Sequence, residues 1–337
     1  MTYTSGMNQS IISFLGIGTM GRVMAENLLK SGYRLHVWNR TKTKCLDLAK
    51  LGATIEDSPA VAAQKGDIIL YSLSGTSAID SVIFGANGVL QGIGPEKIAV
   101  DLSTTSPLLS KKQFEAFKAK GARFLDASVF GSVPEAKARG LWIVVGGEKE
   151  VFEKAASVFE ELCESWHYMG GPGSGAATGL VGSLIFSVQL QALSEGLTLA
   201  KSAGLDLDQV IKIMSLPDFR SPMFEAMAPG PLKRNFEPVF SLKSLRKDID
   251  YVMQLADERD LPLPATSLVR ELIKGAVRQG WAEENVSALT KTMELLAATN
   301  FSTGLNAAPS VDFTDPIQLN DPLKGSPPDS ANSTLDK

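Results

Sequence analysis

Phe14-Leu15-Gly16-Ile17-Gly18-Thr19-Met20-Gly21 is the stretch whose reading decides the fold. Ahead of it runs the apolar segment Ile11-Ile12-Ser13-Phe14-Leu15, and behind it Val23, Met24, Asn27 and Leu28 recur at helical spacing. Strand, glycine turn and helix, in that order, give G-x-G-x-x-G the context of a dinucleotide-binding turn. In that reading Gly16 permits the tight turn, Gly18 lets a pyrophosphate reach the backbone, and Gly21 lets the helix pack close to the strand. The helix N-terminus then turns free N–H groups and the positive end of its dipole toward phosphate. The competing reading, a glycine-rich turn without a ligand, is disfavoured by the flanking patterns.

Outward from this turn, strand-like and helix-like stretches alternate. Arg34 to Trp38, Asp67 to Leu73, Ile98 to Leu102, Arg123 to Asp126 and Leu141 to Gly147 read as strands, several of them continuous apolar runs of a buried parallel sheet. Lys44 to Leu51, Phe114 to Lys120 and Val151 to Cys163 read as helices between or after them. The order implies right-handed crossovers and a doubly wound α/β sheet. Past Gly170-Gly171-Pro172-Gly173-Ser174-Gly175 the strands stop. Ala176 to Ser202 is one long apolar helix pattern, apolar on so many sides that it belongs between domains or subunits. Asp206 to Ser215, Ser244 to Asp260, Pro264 to Gln279 and Ser287 to Ala298 follow as helices, with a proline-punctuated irregular stretch between the first two. The expected organisation is a Rossmann domain over 1–172, an all-α dimerisation and substrate domain over 173–300, and a disordered Pro/Ser/Asn/Asp-rich tail over 301–337.

Bulk properties exclude several classes. With 337 residues, 44% hydrophobic and 21% charged, the chain has the composition of a soluble globular protein with more than one core. Its net charge of −4, with both signs interspersed, offers no basic stripe for a nucleic-acid partner. No signal peptide or membrane span is expected, and a cytoplasmic location follows from that reading. Cys45 and Cys163 lie far apart without C-x-x-C spacing, and His36 and His167 are the only histidines. No metal site is expected from such a set.

At the end of the second strand, where an acid would hold the ribose 2′-hydroxyl of NAD, the chain has Asn39-Arg40-Thr41. Arg40 cannot accept from a hydroxyl but can pair with a 2′-phosphate. The expectation is NADP(H), against the plainer reading of Arg40 as a surface arginine.

Gly16 to Gly21, Trp38-Asn39-Arg40-Thr41 and Asp101-Leu102-Ser103-Thr104 together resemble the β-hydroxyacid dehydrogenase family. That family includes 3-hydroxyisobutyrate dehydrogenases and glyoxylate/succinic semialdehyde reductases, with the imine reductases related to it. The resemblance spans Ile11 to Leu289 and implies a homodimer or a dimer of dimers acting on a small molecule. It places Leu73-Ser74 in the loop that passes the nicotinamide ribose, Ser103-Thr104 beside the nicotinamide, and Lys247 of Lys247-Asp248 at the nicotinamide end of the cofactor. Ile17, Thr19 and Met20 join the glycines in the phosphate turn. Without the resemblance, Lys247 reads as a solvated helix lysine.

Two departures decide what chemistry to expect. The family's substrate loop, Asp-Ala-Pro-Val-Ser-Gly-Gly, here reads Asp126-Ala127-Ser128-Val129-Phe130-Gly131-Ser132. A phenyl ring stands where a serine would help hold the substrate carboxylate. The family's catalytic lysine and the asparagine three residues after it are Gly179 and Gly182. Glycine inside a helix costs about 1 kcal/mol relative to alanine. Two reasons for bearing that cost stay open: close approach of the helix to something, or a site enlarged for a bulkier substrate. Lys247, Thr104 and Ser128 are the remaining catalytic candidates, with Ser132 and Thr178 as further groups able to order a water. Phe130, Gly131, Ser132, Gly179 and Gly182 line the expected substrate site. Three functions follow: an NADPH-dependent reductase of an imine or bulky carbonyl, a semialdehyde-type dehydrogenase with a substitute proton donor, or an NADP-binding protein without catalysis.

Overall fold

In the structure, a computed structural model describing residues 10–216 and 218–302, eight strands form one sheet in the order β3-β2-β1-β4-β5-β6-β7-β8. They are β1 (Ile11–Leu15), β2 (Arg34–Trp38), β3 (Thr54–Ile55), β4 (Ile68–Tyr71), β5 (Ile98–Asp101), β6 (Arg123–Phe130), β7 (Leu141–Gly147) and β8 (Cys163–Gly170). Successive side chains alternate between two cores. Ile12, Phe14, Leu70, Val100 and Leu125 pack on one face. Leu15, Ile69, Tyr71, Ala99 and Phe124 pack on the other. A sheet covered on both sides explains why its strands read as unbroken apolar runs.

The parallel registers align Trp38 with Leu15, Leu15 with Tyr71, Tyr71 with Asp101, and Asp101 with Asp126. All four strand ends therefore reach one edge. The glycine turn, the Leu73–Ser74 loop, Ser103-Thr104 and the last four residues of β6 stand there, where open α/β sheets bind ligands.

Three features depart from the sequence reading. First, β7 runs antiparallel to β6, pairing Leu125 with Gly147 and Phe130 with Trp142. The connection between them, Gly131 to Gly140, is shorter than the dozen or so residues a parallel crossover needs. Second, the helix expected from Val151 to Cys163 is two short helices, Lys149–Lys154 and Ala156–Phe159, followed by β8. This edge strand has no apolar run because much of it faces solvent. Third, Phe301, assigned to the tail, is fully buried beside Leu193, Leu197 and Leu232. Its N–H donates to Glu294 Oε1 at 2.6 Å, and Arg234 Nη1 donates to both oxygens of the same carboxylate at 2.6 and 2.7 Å. From 303 on, the expected tail lies outside the described residues.

Four helices matter for the site: α1 (Thr19–Lys30), α2 (Ser174–Ser202), α3 (Leu242–Asp257) and α4 (Pro264–Ala276). By length and composition alone, the 29-residue α2 passes as a bilayer-crossing helix. Here it packs on β6 and β7 and on α3 and α4. Its Leu180 and Leu190 share a core with Leu245, Ile249, Val269 and Ile273. Truncating the Phe301 ring is the sharpest test of where the folded unit ends. Phe301→Ala is expected to lower unfolding free energy by about 3–5 kcal/mol in urea titration. A residue of a loose tail would show no loss.

Candidate active site

The glycine turn assigns each of its glycines a different physical duty. Gly16 has φ +89°, and a Cβ there would lie 2.2 Å from the Ser72 carbonyl oxygen. A Cβ on Gly21 would lie 2.1 Å from the Gly16 carbonyl oxygen, so α1 can approach only with glycine there. Around Gly18 a Cβ would meet nothing within 4 Å. The outer face of the turn is thus open beside the N-terminus of α1, whose N-cap Gly18 supplies no side-chain cap. These donors, an open cradle and the dipole fit a pyrophosphate, so the residues present suit a dinucleotide. Ile17 N–H donates to Asn39 Oδ1 at 3.0 Å, and Asn39 Nδ2 donates to the Thr41 carbonyl at 2.9 Å. Asn39 thereby braces the turn from the end of β2. Arg40 is exposed and has no ion-pair or hydrogen-bond partner among the described residues.

The neighbouring loops are tied by a buried relay. Tyr71 donates to Gln113 Oε1 at 2.6 Å, Gln113 Nε2 donates to Asp101 Oδ2 at 2.9 Å, and Ser103 N–H donates to Asp101 Oδ1 at 2.9 Å. Ser103 Oγ in turn accepts from Leu73 N–H at 2.9 Å. Burial pushes Asp101 up to about 6, with the Gln113 and Ser103 hydrogen bonds opposing it. Ser103 and Leu73 are therefore joined by a hydrogen bond, while Ser74 is exposed.

Lys247 comes to this same edge from α3. Its Nζ stands 3.5 Å from the Thr104 carbonyl oxygen and 3.2 Å from Asp248 Oδ1. That carboxylate oxygen is buried and makes no hydrogen bond despite the ion-pair distance. Burial pushes Asp248 up to about 6, and Lys247 holds it below what burial alone would do. One turn along α3, Tyr251 was not anticipated. Its hydroxyl accepts from Thr76 N–H at 3.1 Å and pairs with Thr76 Oγ1 at 2.7 Å. Lys247 Cδ and the Tyr251 hydroxyl lie 3.1 and 3.3 Å from where a Gly75 Cβ would be, so α3 grips the Leu73–Thr76 loop. The i,i+4 spacing to Lys247 was the available signal.

The face of α2 toward β6 answers the question left open by the two glycines. A Cβ on Gly175 would lie 2.3 Å from the Asp126 carbonyl oxygen. One on Gly179 would lie 2.4 Å from Ser128 Oγ, and one on Gly182 would lie 2.3 Å from the Phe130 ring. Alternate residues of β6 thus press on successive turns of one helix face. Of the two reasons left open, the contacts favour close approach: Ser128 and Phe130 fill the room. Asp126 secures the contact, accepting from Gly173 N–H at 2.8 Å and Ala176 N–H at 2.7 Å. Burial raises its pKa, and these donors limit the rise.

The remaining candidates sort plainly. Ser132 is the N-cap of Val133–Lys137, with its hydroxyl and its N–H both given to Glu135 Oε2 at 2.5 and 2.8 Å. It is a structural cap, not a free water-ordering group. Gly131, at φ +121°, turns the chain out of β6. Thr178 Oγ1 donates to the Ser174 carbonyl at 2.8 Å. Ser128 is 5% exposed and its hydroxyl has no hydrogen-bond partner among the described residues.

Residues 11–170 match the NAD binding domain of 6-phosphogluconate dehydrogenase, and 173–293 match the NAD-binding domain of NADP-dependent 3-hydroxyisobutyrate dehydrogenase. Glyoxylate/succinic semialdehyde reductase 1 of Arabidopsis thaliana is 35% identical over 283 residues, which is 84% of this chain and 98% of the relative. The chain belongs to the β-hydroxyacid dehydrogenase family. Its members are NAD(P)-dependent oxidoreductases. Cytokine-like nuclear factor N-PAC of Drosophila melanogaster is 32% identical over 84% of this chain but only 47% of its own length. Among solved structures, 3-hydroxyisobutyrate dehydrogenase from Salmonella typhimurium superposes with TM-score 0.77 at 23% identity, covering 84% of this chain and 99% of that one. An imine reductase from Myxococcus stipitatus in complex with NADP+ gives 0.56 at 23%, with the same coverage. At these identities the shared property is the fold.

Asp248 makes stability pH-dependent. Its raised folded-state pKa means the native state holds its proton longer than the unfolded chain does. That contribution is full below about 3.8 and is lost as pH rises through about 6. The loss amounts to at most about 3 kcal/mol. Asp248→Asn is expected to flatten this decline, read from urea midpoints between about pH 4 and pH 7. An unchanged slope would place the titration elsewhere.

Proposed function

We propose that this chain is an NADPH-dependent reductase acting on an imine or on a carbonyl with an apolar substituent. The observation that carries the reading is the side-chain-free face of α2 at Gly179 and Gly182, occupied by Ser128 and Phe130. Where the family pattern presents an ionisable amine and an amide, this site presents a hydroxyl and a phenyl ring. When bound, the nicotinamide supplies a hydride; position and protons are the protein's task. A missing general acid slows carbonyl reduction by typically about 10²–10⁴-fold. A protonated imine already carries the charge that the acid would supply. The Phe130 ring adds an apolar wall that suits a hydrocarbon substituent better than a carboxylate.

Arg40 supports the NADPH preference, because it is an unpaired guanidinium at the end of β2 with no acid beside it in Asn39-Arg40-Thr41. The 35% identity to a glyoxylate/succinic semialdehyde reductase favours the second reading, a semialdehyde reductase with a substitute donor. A homodimer through α2 is part of the proposal. Val181, Ile185 and Leu199 form an exposed apolar stripe along that helix.

NADPH oxidation with 2-methyl-1-pyrroline, cyclohexanone, glyoxylate and succinic semialdehyde separates the readings. The first two are expected to be preferred. Semialdehyde turnover above about 1 s⁻¹ would instead establish the second reading. Arg40→Ala is expected to weaken NADPH about 10–100-fold, the worth of one charged hydrogen bond, and to leave NADH nearly untouched. Equal effects on both cofactors would refute the 2′-phosphate assignment.

A further inference from the structure

Building on the reading of this site as that of a reductase, we propose that the Ser128 hydroxyl makes the hydrogen bond to the reacting oxygen or nitrogen of the substrate. It takes the place of the side chain that α2 lacks at Gly179. The geometry points there directly, since Ser128 Oγ lies 2.4 Å from where a side chain at 179 would begin. The oxygen therefore lies against the point from which a side chain at 179 would grow, closer to the α2 backbone than the tip of a long side chain would be. Ser128 is 5% exposed and unpaired among the described residues, so its hydrogen-bonding capacity is unspent and still reachable.

Three other hydroxyls near this edge already have hydrogen-bond partners. Ser132 is locked into its capping box with Glu135. Thr178 bonds back to its own helix. Ser103 Oγ accepts from Leu73 N–H. Thr104 lies on the α3 side, where its carbonyl faces Lys247, and its own hydroxyl has no hydrogen-bond partner among the described residues. Ser128 stands instead next to the Phe130 ring on the same face of β6, so one surface presents a polar point and an apolar wall.

A serine hydroxyl both donates and accepts. Toward a ketone it donates. The carbonyl carbon takes the hydride from NADPH, and the C=O π pair moves onto oxygen. That oxygen then takes the proton from Oγ, which water reprotonates. Toward a protonated imine, Oγ accepts from N–H⁺. The carbon again takes the hydride, the C=N π pair neutralises the nitrogen, and no proton is transferred. An N-methylated iminium has neither a lone pair nor an N–H, so Ser128 has nothing to bond.

That contrast is the test. Ser128→Ala is expected to lower kcat on cyclohexanone and on 2-methyl-1-pyrroline about 10–100-fold. It should spare N-methyl-pyrrolinium and leave the KM for NADPH within about twofold. Ser128→Cys, a weak donor of similar size, should fall between the two and covers the case in which alanine fails to fold. Independently of turnover, calorimetric binding of cyclohexanol to the NADP+-loaded protein should weaken about 10-fold in Ser128→Ala. Equal losses on all three substrates, or unchanged cyclohexanone turnover and cyclohexanol binding, overturn the assignment while leaving the reductase reading intact. A wild-type protein that binds NADPH and reduces none of the three overturns both.

Discussion

The contact on which most of this molecule depends is the seating of α2 on β6. Helix and strand have different periods, and close contact over several turns requires them to come into step. Here Gly179 and Gly182 meet the side chains of Ser128 and Phe130, while Gly175, on the same helix face, meets the backbone of Asp126 and of Val144 and Gly146 on β7. Asp126 fixes the start of the register by holding two N–H groups at the head of α2. From there α2 carries Leu180 and Leu190 into the helical core, and that core places Lys247 and Tyr251 of α3 against the cofactor-side loops. The sheet's ligand edge is thus assembled by a helix that contributes almost no side chain to it.

Much of the cofactor half is legible from residues alone. The duties of Gly16 and Gly21 follow from strand–turn–helix context because a local turn leaves little room for alternatives. The braces behind the turn are less visible. That Asn39 caps Ile17, or that Tyr71, Gln113, Asp101 and Ser103 form one relay, depends on strands that become neighbours only when the sheet is assembled.

The catalytic half is legible in its parts and not in their relation. Ser128 and Phe130 on one side, and Gly179 and Gly182 on the other, stand out separately as departures from the family pattern. A long stretch of chain divides them, and nothing local says that each glycine exists to admit one of the other pair. A loss and a gain read apart suggest an emptied site; read together in space they are an exchange. Phe301 and β8 escape for a related reason. Neither carries a periodic pattern, and each is held by a partner distant in sequence or by solvent-facing edge pairing.

The pairing of strand and helix across α2 has a further consequence for how such a site changes over time. A larger residue at 179 or 182 collides with Ser128 or Phe130 while those remain. A smaller one at 128 or 130 leaves a void while the glycines remain. Neighbours that share one volume do not contribute additively. The two pairs therefore behave as coupled units: a change at one member alone is less stable than a matched change at both.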